Sequence, residues 1–359
     1  MAKRVTLAVA GSRKTQGIVE HCAGLPRERR VLALTYTQKN QFELQERLAR
    51  YAGDHLNIEV LGWFTFLLRH FAKPFLPFKF PGERVFGFNF DGRPFRMAKD
   101  RARFLDKSGA VYRSEIGRLA FELIAESKGA LIRRLEGIYD EILIDEVQDL
   151  GAYDWEIVDA LLGSSIDLWM VGDIRQAVLS TNARSPKNKK YAYAEAINWF
   201  RSREKKGLLA IEESVVTWRC HPTIAAFSDS IFDPSWSFPS TVSKNDQVTG
   251  HDGVFLVRTQ HVHDYVTEYC PQSLRHAVTS AKQLNLDFMN FKISKGATFR
   301  RVLIAPTATI TGFVRSGIAM EATAASSFYV AVTRAQQSVA IVLDDPGASV
   351  LPYWTPTNT

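Results

Sequence analysis

The segment that most constrains this chain is Ile142-Leu143-Ile144 followed at once by Asp145-Glu146-Val147-Gln148-Asp149. A short, largely β-branched apolar run without alternation reads as a central parallel strand, covered on both faces, in an α/β sheet. The C-terminal ends of such strands are where α/β proteins gather ligands. Two carboxylates at that end suit a divalent cation and a polarised water; they also occur on solvated strand ends with no such role. The neighbouring segments decide between these readings.

With 359 residues the chain has room for two or three domains with real cores, and 46% hydrophobic content is that of a globular protein. Lys and Arg exceed Asp and Glu by 45 to 38, a net +7 that suits a polyanionic partner. Cys22, Cys220 and Cys270 are widely spaced with no Cys-x-x-Cys pair, so neither a disulfide framework nor a zinc site is implied. The expected compartment is the reducing cytoplasm. No apolar stretch approaches the roughly 18 residues that span a bilayer, and Met1-Ala2-Lys3-Arg4 leads directly into a strand rather than a signal peptide.

That first strand, Val5-Thr6-Leu7-Ala8-Val9, runs into Ala10-Gly11-Ser12-Arg13-Lys14-Thr15, which opens a helix carrying Ile18, Val19 and Cys22. Strand, tight loop and helix start form a phosphate cradle. Backbone N–H groups face the phosphates, Lys14 supplies a cation, and the Thr15 hydroxyl is placed to ligate magnesium. Gly11, Ser12 and Arg13 complete the candidate nucleotide-binding loop. In the pattern G-x-x-x-x-G-K-[ST], Ala8 and Arg13 occupy the two glycine places. Arg13 either contacts the nucleotide or obstructs it.

Read in order from Leu7 to about Val342, these segments and those that follow resemble the motifs of UvrD/Rep-like helicases of superfamily one. Val31 to Asn40 is similar to the strand and loop that touch single-stranded DNA, which assigns Thr35, Tyr36 and Thr37. Val60 to Arg69 resembles the next DNA-facing motif through Trp63 and Phe64, though its apolar residues equally suit a core. Val171-Gly172-Asp173-Ile174-Arg175-Gln176 resembles the phosphate-sensing segment, with Gln176 the sensor. Leu179 and Thr181 stand where the family usually has a base-stacking aromatic. Thr217-Trp218-Arg219-Cys220-His221-Pro222 is similar to the motif that packs an aromatic, Trp218, on adenine and brings an arginine, Arg219, to the γ-phosphate. Lys295-Gly296-Ala297-Thr298-Phe299 resembles a Lys-Gly-Leu-Glu-Phe motif, with Thr298 at the acidic place. Phe328-Tyr329-Val330-Ala331-Val332-Thr333-Arg334-Ala335 resembles the last motif, which makes Arg334 the candidate arginine finger.

The resemblance implies an α/β protein of two RecA-like P-loop domains with parallel sheets and a small insertion in the first. The expected boundaries are 1–70 and 136–205 for the first domain, 71–135 for the insertion, and 206–359 for the second. A short insertion near 233–292 replaces the large accessory domain of typical members. Residues 71–135 interleave aromatics with Arg84, Arg93, Arg96, Lys99, Arg101 and Arg103, which suits single-strand binding or a satellite core with a solvated basic face. The implied activity is an ATP-dependent DNA helicase or translocase that couples hydrolysis between the two domains to movement on single-stranded DNA. ATP and Mg2+ are the expected cofactors. Thr15 and Asp145 would hold the metal, Glu146 would polarise water, and Lys14, Arg219 and Arg334 would face the phosphates. The alternative is a weakly active, nucleotide-gated DNA-binding subunit of a nuclease-containing defence or repair complex, since proteins of this resemblance are often encoded beside nucleases. No membrane partner is expected.

Overall fold

The structure, a computed structural model, describes residues 3–182 and 185–356; the Met1-Ala2 opening lies outside the described residues. These fall into two compact units. The first comprises Met1–Leu7, Lys14–Gly172 and Ser180–Glu212, and the second Ala8–Arg13, Asp173–Leu179 and Glu213–Thr359.

In the first unit the strands in chain order are β1 (Lys3–Ala8), β2 (Val31–Thr35), β3 (Ile58–Gly62), β4 (Gly87–Asn89), β5 (Ala110–Tyr112), β6 (Glu141–Ile144), β7 (Asp167–Gly172) and β8 (Ala210–Ser214). Six of them make one sheet in the order β3-β2-β6-β7-β1-β8. The pairs β2·β3, β2·β6, β6·β7 and β1·β7 are all parallel. Every residue of β2 and of β6 is buried, as an unalternating apolar strand requires when helices cover both faces. Helix Lys14–Gly24 presents Ile18, Val19 and Cys22 to the sheet, and helix Gln38–Tyr51 presents Leu44 and Leu48, one turn apart on a single stripe. These side chains share a core with Val31, Ala33, Leu143 and Val171. Because the strands are parallel, the C-terminal ends of β1, β2 and β6 lie on one edge of the sheet.

Between β3 and β6 the chain makes a continuous helical stretch, with Leu67–Ala72 a π-helical turn between Trp63–Phe66 and Lys73–Lys79. A separate two-stranded parallel pair, β4·β5, follows. Helix Ile116–Glu126 buries Ile116, Leu119, Ala120 and Leu123 at helical spacing. The stretch therefore has a core of its own. Of the aromatics expected to be open there, Phe75 is buried while Phe78 is 56% exposed. Arg101 pairs with Glu83 and Arg103 with Glu115.

The second unit carries β9 (Val216–Thr217) paired with β10 (Val242–Ser243), and a six-stranded sheet of β11 (Gly253–Val257), β12 (Gln272–Arg275), β13 (Phe288–Asn290), β14 (Phe299–Ile304), β15 (Ala335–Val342) and β16 (Tyr353–Trp354). Its order is β13-β12-β14-β15-β11-β16, and its recorded pairs are parallel. Val257, Leu303, Ala340 and Trp354 pack with Val262 and Tyr265 in one core. Two parallel six-stranded sheets, each with its own helices, are the architecture of two RecA-like domains. No helix among the described residues is long and apolar enough to cross a membrane.

Candidate nucleotide and nucleic-acid site

At the end of β6 the backbone turns sharply. Asp145 is 4% exposed, and Glu146 follows in the left-handed region at φ +55°, a conformation that costs a non-glycine residue about 1 kcal/mol or more. Three contacts hold the turn. The Glu146 N–H donates to Asp145 Oδ1 at 2.9 Å, the Gln148 amide donates to the Glu146 carboxylate, and the Thr15 hydroxyl donates to Asp145 Oδ2 at 3.2 Å. Thr15 sits in the first turn of the helix after β1, so the sheet order brings two segments 130 residues apart to one point. Burial, and then the Glu146 charge, push the Asp145 carboxyl up to about 7, against the opposing charge of Lys14. Gly172, at the end of β7, has no room for a side chain: a Cβ would lie 2.3 Å from Gln148 Oε1 and 2.9 Å from Val147 Cγ1.

The remaining loop residues belong to the second unit. Val9 N–H donates to Ser214 O and Trp218 N–H to Gly11 O, both at 3.0 Å. The loop thus runs beside the segment that leads through β9. Gly11 is required there. Its φ is +76°, and a Cβ would meet Arg219 Cβ at 2.6 Å and Thr217 Oγ1 at 2.7 Å. Arg13 follows at φ +63°, so the backbone takes up at Arg13 the conformation for which glycine is the usual residue. Its guanidinium lies 4.2 Å from the Trp218 ring centroid. The Ser12 hydroxyl is buried without a hydrogen-bond partner.

Arg334, in the same unit, is 1% exposed. Its guanidinium donates to Val330 O at 3.0 Å, Ala297 O at 3.2 Å and Gln176 Oε1 at 3.0 Å. Burial, and then the nearby Arg219 charge, lower its pKa to about 10, still protonated at neutral pH. From Gln176 a polar chain continues inward. Its amide donates to Asp173 Oδ2 at 2.7 Å, the Tyr329 hydroxyl donates to the same oxygen at 3.3 Å, and the Ala10 N–H donates to that hydroxyl at 3.2 Å. Burial raises the Tyr329 pKa, so the hydroxyl keeps its proton. Arg219 donates to Thr333 O at 3.1 Å. Arg334, Gln176 and the start of the loop after β1 are therefore one network, and Asp173 and Tyr329, given no role from sequence, are its middle.

The candidate nucleic-acid residues divide. Thr35 and Trp63 are 2% and 1% exposed, so neither side chain is open to a strand; Trp63 packs on Phe66. Thr37 caps helix Gln38–Tyr51, accepting from Asn40 N–H at 3.1 Å. Tyr36 and Phe64 are half-buried, with ring centroids 6.0 Å apart. Arg113 joins them, its guanidinium 4.8 Å from the Phe64 centroid and 3.5 Å from the Tyr36 hydroxyl. That hydroxyl donates to Ser180 O at 3.3 Å, and Asn182 Nδ2 donates to Ser114 O at 2.7 Å. These contacts border a cleft of about 560 Å³ lined by Arg93, Arg113, Arg118, Tyr153, Thr181 and Asn182 among others. Arg113 has no motif to mark it in the sequence.

The model of the UvrD/REP helicase N-terminal domain family matches residues 102–191. Comparison with curated proteins gives no match. Among solved structures the chain is similar to arterivirus nonstructural protein 10, a helicase, at 14% identity and TM-score 0.48, covering 95% of this chain and 59% of that one. It is also similar to the PRRSV helicase, at 14% identity and TM-score 0.45 over 96% and 52% of the two chains. A complex of the arterivirus protein with DNA gives 13% identity and TM-score 0.45 over 95% and 61%. The chain thus spans between half and two thirds of the length of these proteins. The family match covers about a quarter of the chain and takes in Asp145, Glu146 and Gln176, three of the residues that motif order had marked.

Proposed function

We propose that this chain hydrolyses ATP and uses the cycle to move along single-stranded DNA. The observation that carries the reading is the Thr15 hydroxyl bonded to Asp145 at 3.2 Å, with Glu146 the next residue at the strand end. Lys14 supplies the cation for the β- and γ-phosphates, and the unpartnered Ser12 hydroxyl adds a donor. Thr15 and Asp145 fit a hard divalent cation: both offer oxygen, their side chains lie 3.2 Å apart, and the buried carboxyl has the Glu146 charge beside it. Magnesium held by these two would neutralise phosphate oxygens. Glu146 accepts the proton of the attacking water. Arg219 and Arg334 are the second unit's candidates for stabilising charge on the transferred phosphoryl group. Tyr36 and Phe64 offer stacking surfaces, and Arg113 a cation, to single-stranded nucleic acid.

The test is the ATPase rate of the purified chain with and without single-stranded DNA, with Lys14→Ala as the blank. DNA-stimulated turnover above that blank is expected. A rate equal to the blank overturns the motor and leaves the second reading, a nucleotide-gated DNA-binding subunit working with a nuclease. The stacking of Arg13 on Trp218 favours that reading. Binding to matched DNA and RNA oligomers across a salt series identifies the nucleic acid, because phosphate contacts weaken steeply with salt.

A further inference from the structure

Of the two residues that depart from the expected phosphate-loop pattern, Ala8 and Arg13, the second also covers the expected base platform. Trp218 is 48% exposed, a large flat face of the kind a purine stacks on. Arg13 lies on it, guanidinium carbon 4.2 Å from the ring centroid, within the range of a cation–π contact. The backbone places Arg13 beside Trp218. The backbone bonds from Val9 N–H to Ser214 O and from Trp218 N–H to Gly11 O fix the loop beside the strand segment, and the absence of a Cβ at Gly11 lets the two come within van der Waals contact. With φ at +63°, Arg13 is committed to a backbone region that L residues seldom adopt.

We infer that Arg13 is a specificity-determining residue that competes with the nucleotide base for the face of Trp218. This rests on the proposal that Trp218 is the base platform. A purine nucleoside triphosphate binds only by displacing the guanidinium from the indole, whereas inorganic tripolyphosphate, which has no base, leaves the stack intact. Nucleotide affinity is thereby held down on the base side and not on the phosphate side. A cation–π contact at a partly exposed site is worth about 0.5–1 kcal/mol, so its removal is expected to tighten base-dependent binding about two- to fivefold.

The experiment is isothermal titration of the full chain with a non-hydrolysable ATP analogue and with inorganic tripolyphosphate, both with magnesium, for wild type, Arg13→Ala, Arg13→Gln, Trp218→Ala and the Arg13→Ala/Trp218→Ala pair. The expected result is that both Arg13 variants bind the analogue two- to fivefold more tightly, with tripolyphosphate unchanged, and that the gain disappears in the pair. Weaker binding of both ligands in the Arg13 variants overturns the inference and makes Arg13 a phosphate ligand. Weaker binding of the analogue alone also overturns it, since the base would then stack on the guanidinium. Unchanged analogue affinity in both Arg13 variants, with Trp218→Ala weakened, overturns the competition while leaving the platform standing. Unchanged affinity in Trp218→Ala overturns the platform itself. The Gln variant retains chain length without charge, so a folding failure of the Ala variant leaves the test intact.

Discussion

Tyr329→Phe removes one oxygen atom from the centre of the buried network and leaves the ring in place. The ring keeps its packing on Phe232, with centroids 5.4 Å apart, so no cavity opens and the change isolates the hydroxyl. In the wild type that hydroxyl accepts from Ala10 N–H at 3.2 Å and donates to Asp173 Oδ2 at 3.3 Å. Asp173 retains donors after the substitution, from the Gln176 amide at 2.7 Å and the Arg175 N–H at 3.1 Å. Ala10, 2% exposed, loses its acceptor, and a buried N–H left unpaired costs about 1–3 kcal/mol. Both bonds of the hydroxyl are long for their type, which places the expected loss in the lower half of that range, about 1–2 kcal/mol. Urea denaturation followed by tryptophan fluorescence measures it as a shift in midpoint with the slope unchanged. A double-mutant cycle with Asp173→Asn is expected to give a coupling energy of at least about 0.5 kcal/mol. A Tyr329→Phe midpoint indistinguishable from wild type, together with additive effects in the cycle, would refute the network.

Gly172→Ala places a Cβ 2.9 Å from Val147 Cγ1, and is expected to cost about 1–3 kcal/mol by overpacking, read from the same denaturation curves. Arg334→Lys keeps a positive charge but loses the planar fork that serves Val330, Ala297 and Gln176 together. ATP turnover is expected to fall on the order of 10³-fold, and a variant that keeps wild-type turnover removes Arg334 from the reaction. Asp154, 3% exposed and hydrogen-bonded by Thr181, is raised by burial to about 6. Its folded-state pKa lies above the unfolded value, so the folded state binds the extra proton and stability falls as pH rises from about 4 to about 6, by about 3 kcal/mol for a shift of about two units. The difference in unfolding free energy between wild type and Asp154→Asn, measured across that window, is expected to follow this slope; a flat difference shows that Asp154 does not titrate there.

What the sequence made legible follows the reach of the physical signal. The burial of β6 and the placing of acids at its end are local: four consecutive buried residues and the turn after them. Helix Gln38–Tyr51 was equally readable, because its buried Leu44 and Leu48 and its cap at Thr37 all lie within the helix or one residue before it. The bonds that assemble the network around Arg334 span 158, 156 and 319 residues, and no periodicity carries that information. Motif order gave roles to the end members Gln176 and Arg334 but not to Asp173 and Tyr329 between them. The inserted stretch shows the same limit in electrostatic form. Arg103 and Arg113 look alike in sequence, yet Arg103 is held bidentate by Glu115 at 3.1 Å while Arg113 lies over Phe64. Trp63 and Phe64 are neighbours of one chemical kind, and helix geometry sends one into the core and the other to the half-buried edge.

Among the least legible positions are two at the candidate site where the backbone departs from what the residue prefers. Arg13 at φ +63° and Glu146 at φ +55° both occupy the left-handed region, where glycine would cost nothing and each side chain costs about 1 kcal/mol or more. A sequence rule built on propensity assigns neither residue to such a place. Each conformation is held by contacts outside the residue's own preference: Glu146 by the Asp145 carboxylate and the Gln148 amide, Arg13 by the indole of Trp218. Both residues lie next to a proposed nucleotide ligand, Arg13 before Lys14 and Glu146 after Asp145. Local rules fail where a side chain must be aimed rather than merely packed. At Glu146 the turn carries a carboxylate beyond the end of the sheet, and at Arg13 it turns a guanidinium away from the course of the helix and onto Trp218. Glycine would relax either turn and remove the group that the turn presents.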